Sequence, residues 1–116
     1  MKHVMLQGKL HRVKVTGNDL HYEGSCAIDE NLLVASGIRP FEKIEIYNIN
    51  TGERFETYVI KANKGSGTIS LNGAAARKAA KGDFLIICTY TLIDYEKLEQ
   101  HQPKIVHVNE NNEIIK

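Results

Sequence analysis

The run Lys43-Ile44-Glu45-Ile46-Tyr47-Asn48-Ile49, the break Asn50-Thr51-Gly52 and the run Arg54-Phe55-Glu56-Thr57-Tyr58-Val59-Ile60 decide how this chain folds. Apolar and polar side chains alternate strictly through the first run, the period of a strand with one buried face. The break supplies turn residues and the second run resumes the pattern, so the pair reads as a β-hairpin. Outward from it, residues 4–15 alternate as a long strand that stops at Thr16-Gly17-Asn18-Asp19. Residues 69–71, 84–92 and 104–108 supply further short strands. Two helices punctuate them. Asp29 is an N-cap for residues 30–36, with Gly37 at the stop and Pro40 soon after. Residues 74–81 have high helix propensity, basic residues toward their end and Gly82 as the stop. Many short strands with two short helices imply a mainly β barrel, and residues 109–116 read as a loosely held tail.

At 116 residues the chain makes a single domain with one core. Its hydrophobic fraction of 42% and charged fraction of 25% are those of a globular protein. A net charge of +1, with both signs interleaved, leaves no footprint for nucleic acid or anionic lipid. The longest apolar stretch, Phe84-Leu85-Ile86-Ile87-Cys88, is too short to span a bilayer, and Gln7-Gly8-Lys9 interrupts any secretory core at the start. A cytoplasmic protein is expected, with Cys26 and Cys88 as reduced, buried thiols.

No Gly-x-Ser-x-Gly elbow, phosphate-binding glycine loop or Cys-x-x-Cys pair occurs. His3, His11, His21, His101 and His107 lack the close spacing of a zinc site, so no metal is expected. Reactive groups concentrate in Lys9-Leu10-His11-Arg12-Val13-Lys14 and Leu20-His21-Tyr22-Glu23-Gly24-Ser25-Cys26. Lys9 and His11 share one face of an extended strand, which by itself marks only a solvated face. Gly24-Ser25 carries a specific chemistry. A serine hydroxyl can attack the carbonyl of its own preceding peptide bond, turning the amide into an ester, and a preceding glycine leaves that carbonyl unobstructed. β-Elimination then frees a carboxylate at Gly24 and leaves a dehydroalanine, which water converts to a pyruvoyl group with loss of ammonia. On the dipeptide alone a simple turn is the better reading.

The surrounding residues separate these readings. Met5-Leu6-Gln7-Gly8-Lys9-Leu10-His11-Arg12-Val13-Lys14-Val15-Thr16 and Asp19-Leu20-His21-Tyr22-Glu23-Gly24-Ser25-Cys26-Ala27-Ile28-Asp29 resemble the start of the bacterial aspartate 1-decarboxylases, which depend on a pyruvoyl group. The likeness continues at Gly52, Arg54-Phe55-x-Thr57-Tyr58, Ser70-x-Asn72-Gly73-Ala74-Ala75-Ala76 and Gly82-Asp83, covering residues 1–92 in register. The resemblance implies a six-stranded double-psi β-barrel with two or three short helices, assembled as a homotetramer with active sites between subunits. It implies a zymogen that cuts itself between Gly24 and Ser25 into a β-chain, 1–24, and an α-chain, 25–116, headed by a pyruvoyl group from Ser25. The implied activity is a lyase that converts L-aspartate to β-alanine and CO2 through a Schiff base, for pantothenate and coenzyme A biosynthesis. By position, Lys9 and Arg54 resemble the carboxylate-binding cations and Tyr58 the proton donor. Thr57 resembles the residue that assists cleavage at the Gly24 carbonyl. His11, Tyr22, Tyr47, Asn72, Gly73, Ala74 and Ala75 would line the pocket.

The chemistry is consistent with those assignments. Loss of CO2 from an α-amino acid leaves electrons on Cα that need a sink, and an imine to a pyruvoyl ketone supplies one. A guanidinium offers a bidentate fork for aspartate's second carboxylate, which favours Arg54 as its anchor. Arg54 and Tyr58 share a strand face, about 13 Å apart at Cα, whereas Thr57 points to the other face unless a twist or bulge intervenes. Two other functions account for parts of the sequence. A non-catalytic or unprocessed barrel acting as a binding module explains the strands but not the polar residues. A cysteine hydrolase would use Cys26 with His11 or His21, against the apolar setting of Ala27-Ile28.

Overall fold

The long amino-terminal strand β1 (Lys2–Lys14) is the spine of the structure, a computed structural model that describes Met1–Lys116. Its register against β7 (Phe84–Asp94) shifts between Leu6 and Gly8 and again between His11 and Val13. The second shift has a cause in the sequence. Leu10 and Val13 are both fully buried but three residues apart, so one extra residue must be accommodated for both to face inward. Arg12 is that residue: its φ of 65° marks the bulge, and its guanidinium lies 4.9 Å from the centre of the Phe84 ring.

The hairpin forms as expected, β4 (Lys43–Asn48) running antiparallel to β5 (Arg54–Ala62) with Tyr47 opposite Arg54 and Lys43 opposite Tyr58. Five further strands join them: β2 (Gly17–Asp19), β3 (Ser25–Asp29), β6 (Ile69–Asn72), β8 (Lys104–Val108) and β9 (Ile114–Ile115). The order is β2-β6-β3-β5-β4-β7-β1-β8-β9, with β1–β8, β2–β6 and β3–β5 parallel. Residues just past β1 tie the two flanks together. The Thr16 amide donates to the Ile69 carbonyl at 2.8 Å, and the Val15 amide to the Asp83 carbonyl at 2.9 Å. The fold is mainly β, with nine strands where the resemblance implies six. Leu10, Ile28, Ile44, Ile46, Val59, Leu71 and Ile87 fill the interior, each with its strand neighbours turned outward.

Helix α1 (Glu30–Ser36) has the expected ends: Asp29 accepts from the Asn31 amide at 2.8 Å, and Gly37 takes the left-handed φ of 77° that closes it. The second expected helix is corrected. Residues 74–81 form only a short 3-10 turn, Gly73–Arg77, because the Ala80 amide donates to Asp83 Oδ2 and the Ala76 carbonyl accepts from Asn18, the two groups a helix would join. Asn18 Nδ2 donates to the Ala76 and Ala79 carbonyls, and Asn48 Nδ2 to that of Lys78. The tail is likewise not loose. Asn112 is buried, its Oδ1 accepting from the Lys14 amide and its Nδ2 donating to the Lys14 and Gly67 carbonyls, all at 2.8 Å. No helix is long and apolar enough to cross a membrane.

Candidate active site

Strand alternation turns Leu10, Ile44, Ile46 and Ile87 inward, which sets Lys9, His11, Glu45, Tyr47, Ile86, Cys88 and Tyr90 on the opposite, outer face. Across the hairpin Arg54 and Tyr58 join that face. The ladder between β3 and β5 begins at Cys26–Val59, which puts Ser25 beside Tyr58, and Ser25 pairs with Asn72 on β6. One outer surface therefore runs from Asn72 through Ser25, Tyr58 and Tyr47 to Lys9.

At one end stands Ser25, 1% exposed. Its hydroxyl donates to the Glu23 carbonyl at 3.1 Å and accepts from Asn72 Nδ2 at 3.2 Å. Asn72 Oδ1 accepts in turn from the Ser70 hydroxyl at 3.3 Å, which fixes which way the amide points. Gly73 follows with φ of 64°, and its missing side chain matters: a Cβ there would lie 2.6 Å from Gly24 Cα and 2.7 Å from Gly24 N. The backbone of residue 24 is thus held against a glycine that nothing larger can replace without displacing it. Ala75 is buried beside this turn, whereas Ala74 and Tyr22 are exposed.

At the other end are the cations. The Arg54 guanidinium lies 3.8 Å from the centre of the Tyr47 ring, a cation–π contact, and has no carboxylate partner. The Tyr47 hydroxyl is 3.0 Å from Glu45 Oε1 and 2.7 Å from the Tyr90 hydroxyl. Burial, then these two hydrogen bonds, raises the Tyr47 pKa above the usual phenol range. Burial, Lys9, His107 and Arg12 together lower that of His11, so the imidazole is neutral at pH 7. His11 packs edge-on against His107, ring centres 5.2 Å apart.

Lys9 does not meet the Ser25–Tyr58 end within one chain. Lys9 lies on β1, three strands from β5, or about 14 Å at ~4.8 Å per strand. The five principal surface clefts, of roughly 270 to 440 Å³, contain none of Ser25, Arg54 or Tyr58, although one of about 310 Å³ includes His11 and His107. Thr57 stays on the face opposite Arg54 and Tyr58, since β5 has no register shift, and makes no hydrogen bond to the Gly24 carbonyl. The sequence reading did not single out Glu45, Cys88 or Tyr90. Their signal was available in alternation, which puts them on the face of Tyr47 and Lys9. Cys26 points into the core, fully buried, and burial pushes its thiol up to about 12, which leaves no thiolate for a hydrolase.

Comparison with known proteins bears on both fold and family. The rationally designed double-psi β-barrel (DPBB) protein mkDPBB_sym_86 superposes with a TM-score of 0.50 at 15% identity, over 66% of this chain and 90% of its own. The fold is thus similar to a double-psi β-barrel. The aspartate 1-decarboxylase of Polynucleobacter asymbioticus is 62% identical over 114 residues, 98% of this chain and 95% of the relative. Those of Bordetella avium and Cupriavidus necator are 60% and 59% identical, again over 98% of this chain and 93% and 95% of theirs. The family model described as aspartate decarboxylase matches residues 1–115. On both counts, this chain belongs to the aspartate decarboxylase family.

Proposed function

We propose that this protein decarboxylates L-aspartate to β-alanine and CO2, after cutting itself between Gly24 and Ser25 into chains of residues 1–24 and 25–116. The product serves pantothenate and coenzyme A synthesis in the cytoplasm. The observation that supports the processing is the setting of Ser25: a buried hydroxyl oriented by Asn72, on a backbone pressed against Gly73.

The family's prosthetic group is a pyruvoyl derived from Ser25, and the residues here fit it. Asn72 would hold its oxygen-bearing end as it holds the Ser25 hydroxyl, and Gly73 leaves room for the cut backbone. That group supplies an electron-withdrawing ketone conjugated to an amide. Arg54 anchors the side-chain carboxylate of aspartate through its planar fork, with Lys9 adding positive charge. Tyr58, beside Ser25, donates a proton to the substrate carbon once CO2 has left. His11, Tyr22, Tyr47, Ala74 and Ala75 shape the pocket.

The assembly is a homotetramer whose sites lie between subunits. What supports this is the separation of Lys9, on β1, from Ser25, on β3 four strands away in the sheet. Six strands, β1 and β3–β7, make the barrel proper, and β2, β8 and β9 are additions at its ends. The test is intact mass together with β-alanine formation. The wild type should give two fragments whose masses sum to the whole chain plus water minus ammonia, and Ser25→Ala should remain one inactive chain. A wild type that stays whole and inactive would instead favour the unprocessed binding module, and cleavage in Ser25→Ala would remove the serine from the chemistry.

A further inference from the structure

Arg54 lacks a carboxylate partner although three glutamates flank it. Each is engaged elsewhere. Glu53 pairs with Lys78 at 3.2 Å and Glu56 with Lys43 at 3.4 Å, both on exposed side chains. Glu45, two positions along β4 from the Tyr47–Arg54 pair and on the same face, is instead held at 3.0 Å by the Tyr47 hydroxyl in a half-buried setting. The direction of that bond follows from its chemistry. An ionised carboxylate only accepts, so the single proton of Tyr47 is committed to Glu45. The 2.7 Å contact between the two phenols must then be donated by Tyr90. A one-way relay results, from Tyr90 to Tyr47 to Glu45. Both phenols are held above their usual range, chiefly by burial, so the relay keeps its protons through neutral pH.

We propose that the Tyr90–Tyr47–Glu45 relay positions Arg54 for its substrate. It fixes the ring on which the guanidinium rests and keeps the Glu45 carboxylate from neutralising it, leaving the N–H fork free for an incoming carboxylate. A cation held by a π face stays in place without spending its hydrogen-bond donors on an internal anion. The proposal deepens the reading of Arg54 as the substrate anchor and rests on it.

The test uses processed enzyme and separates KM from kcat. Tyr47→Phe keeps the ring but releases Glu45, so KM for aspartate should rise about 5- to 20-fold, with kcat changed by less than about threefold. Adding Glu45→Gln should bring KM back to within about twofold of wild type, because a neutral amide cannot quench Arg54. Tyr90→Phe should shift KM in the same direction, by about 2- to 5-fold. An unchanged KM in Tyr47→Phe, or a raised KM that Glu45→Gln does not relieve, overturns the relay. Should Tyr47→Phe fail to fold or process, Glu45→Gln alone decides: KM should stay level or fall, and a rise beyond about threefold defeats the proposal. Arg54→Lys distinguishes the two layers. If it leaves KM unchanged, the anchor reading fails; if it raises KM while Tyr47→Phe does not, only the relay fails.

Discussion

Gly73 carries two constraints at one residue. Its φ of 64° disfavours any side chain, and its close approach to Gly24 leaves no space for one. Gly52 shares the first constraint, with φ of 80°, but nothing lies within 4 Å of a Cβ built there. The pair therefore separates backbone strain from contact. Gly52→Ala and Gly73→Ala should each cost about 1–2 kcal/mol for the left-handed conformation. Only Gly73→Ala should also move residue 24 and slow the proposed self-cleavage, by roughly tenfold or more given how steeply reactivity depends on sub-ångström placement. A time course of intact mass on both variants decides the point, and normal cleavage in Gly73→Ala would mean this contact does not set the geometry of the scissile bond. No pattern in the sequence marks Gly73; only the resemblance drew attention to it. A glycine needed for tertiary approach looks like any other until the chain passing it is known.

Among the elements, those that came through intact were those whose own residues specify them. Alternation was enough for β1, β4, β5 and β7, and an aspartate cap with a glycine stop for α1. β3 was missed because its five residues alternate too briefly, and the alanine-rich segment failed as a helix because Asn18, distant in sequence, and Asp83 take the Ala76 carbonyl and the Ala80 amide that a helix would pair. The carboxyl-terminal segment makes the same point with opposite sign. It is polar and reads as loose, yet Asn112 pins it to β1 and to Gly67. Asn112→Ala strips a partner from three backbone groups and should destabilise the fold by about 2–4 kcal/mol, measured by urea unfolding. Asn112→Gly should do nearly as much damage, since it suits the left-handed φ of 59° but still lacks the amide. A small effect in both would mean that water replaces the side chain at no cost and that the tail is not structural.

At the scale of the whole molecule, the proposed tetramer with sites shared between subunits predicts trading of residues between them. Ser25→Ala chains lack the proposed processing serine, and Arg54→Ala chains lack the proposed anchor, so each alone should be inactive. Co-expressed, they should form hybrid tetramers in which some sites combine Ser25 of one chain with Arg54 of another. Activity of the mixture should return to about a quarter of the wild-type level if assembly is random, since about one site in four then draws both intact residues. Light scattering should show the hybrids at the same size as the wild type. No recovery from a mixture shown by mass to be hybrid would place both residues in one subunit and defeat the shared site.

The sequence by itself determined the mainly β fold, the hairpin, the cap and stop of α1 and the inward set of apolar residues. Each of these is encoded by residues a few positions apart, where side-chain period and backbone preference act directly. Only the tertiary structure decided that Ser25 lies beside Tyr58 and under Asn72, that Arg54 rests on Tyr47, and that the tail is fastened at Asn112. These depend on strand order and register, and register is set by the packing of strands that are far apart in sequence. The β3–β5 pairing brings together residues more than thirty positions apart, a separation over which no local propensity acts.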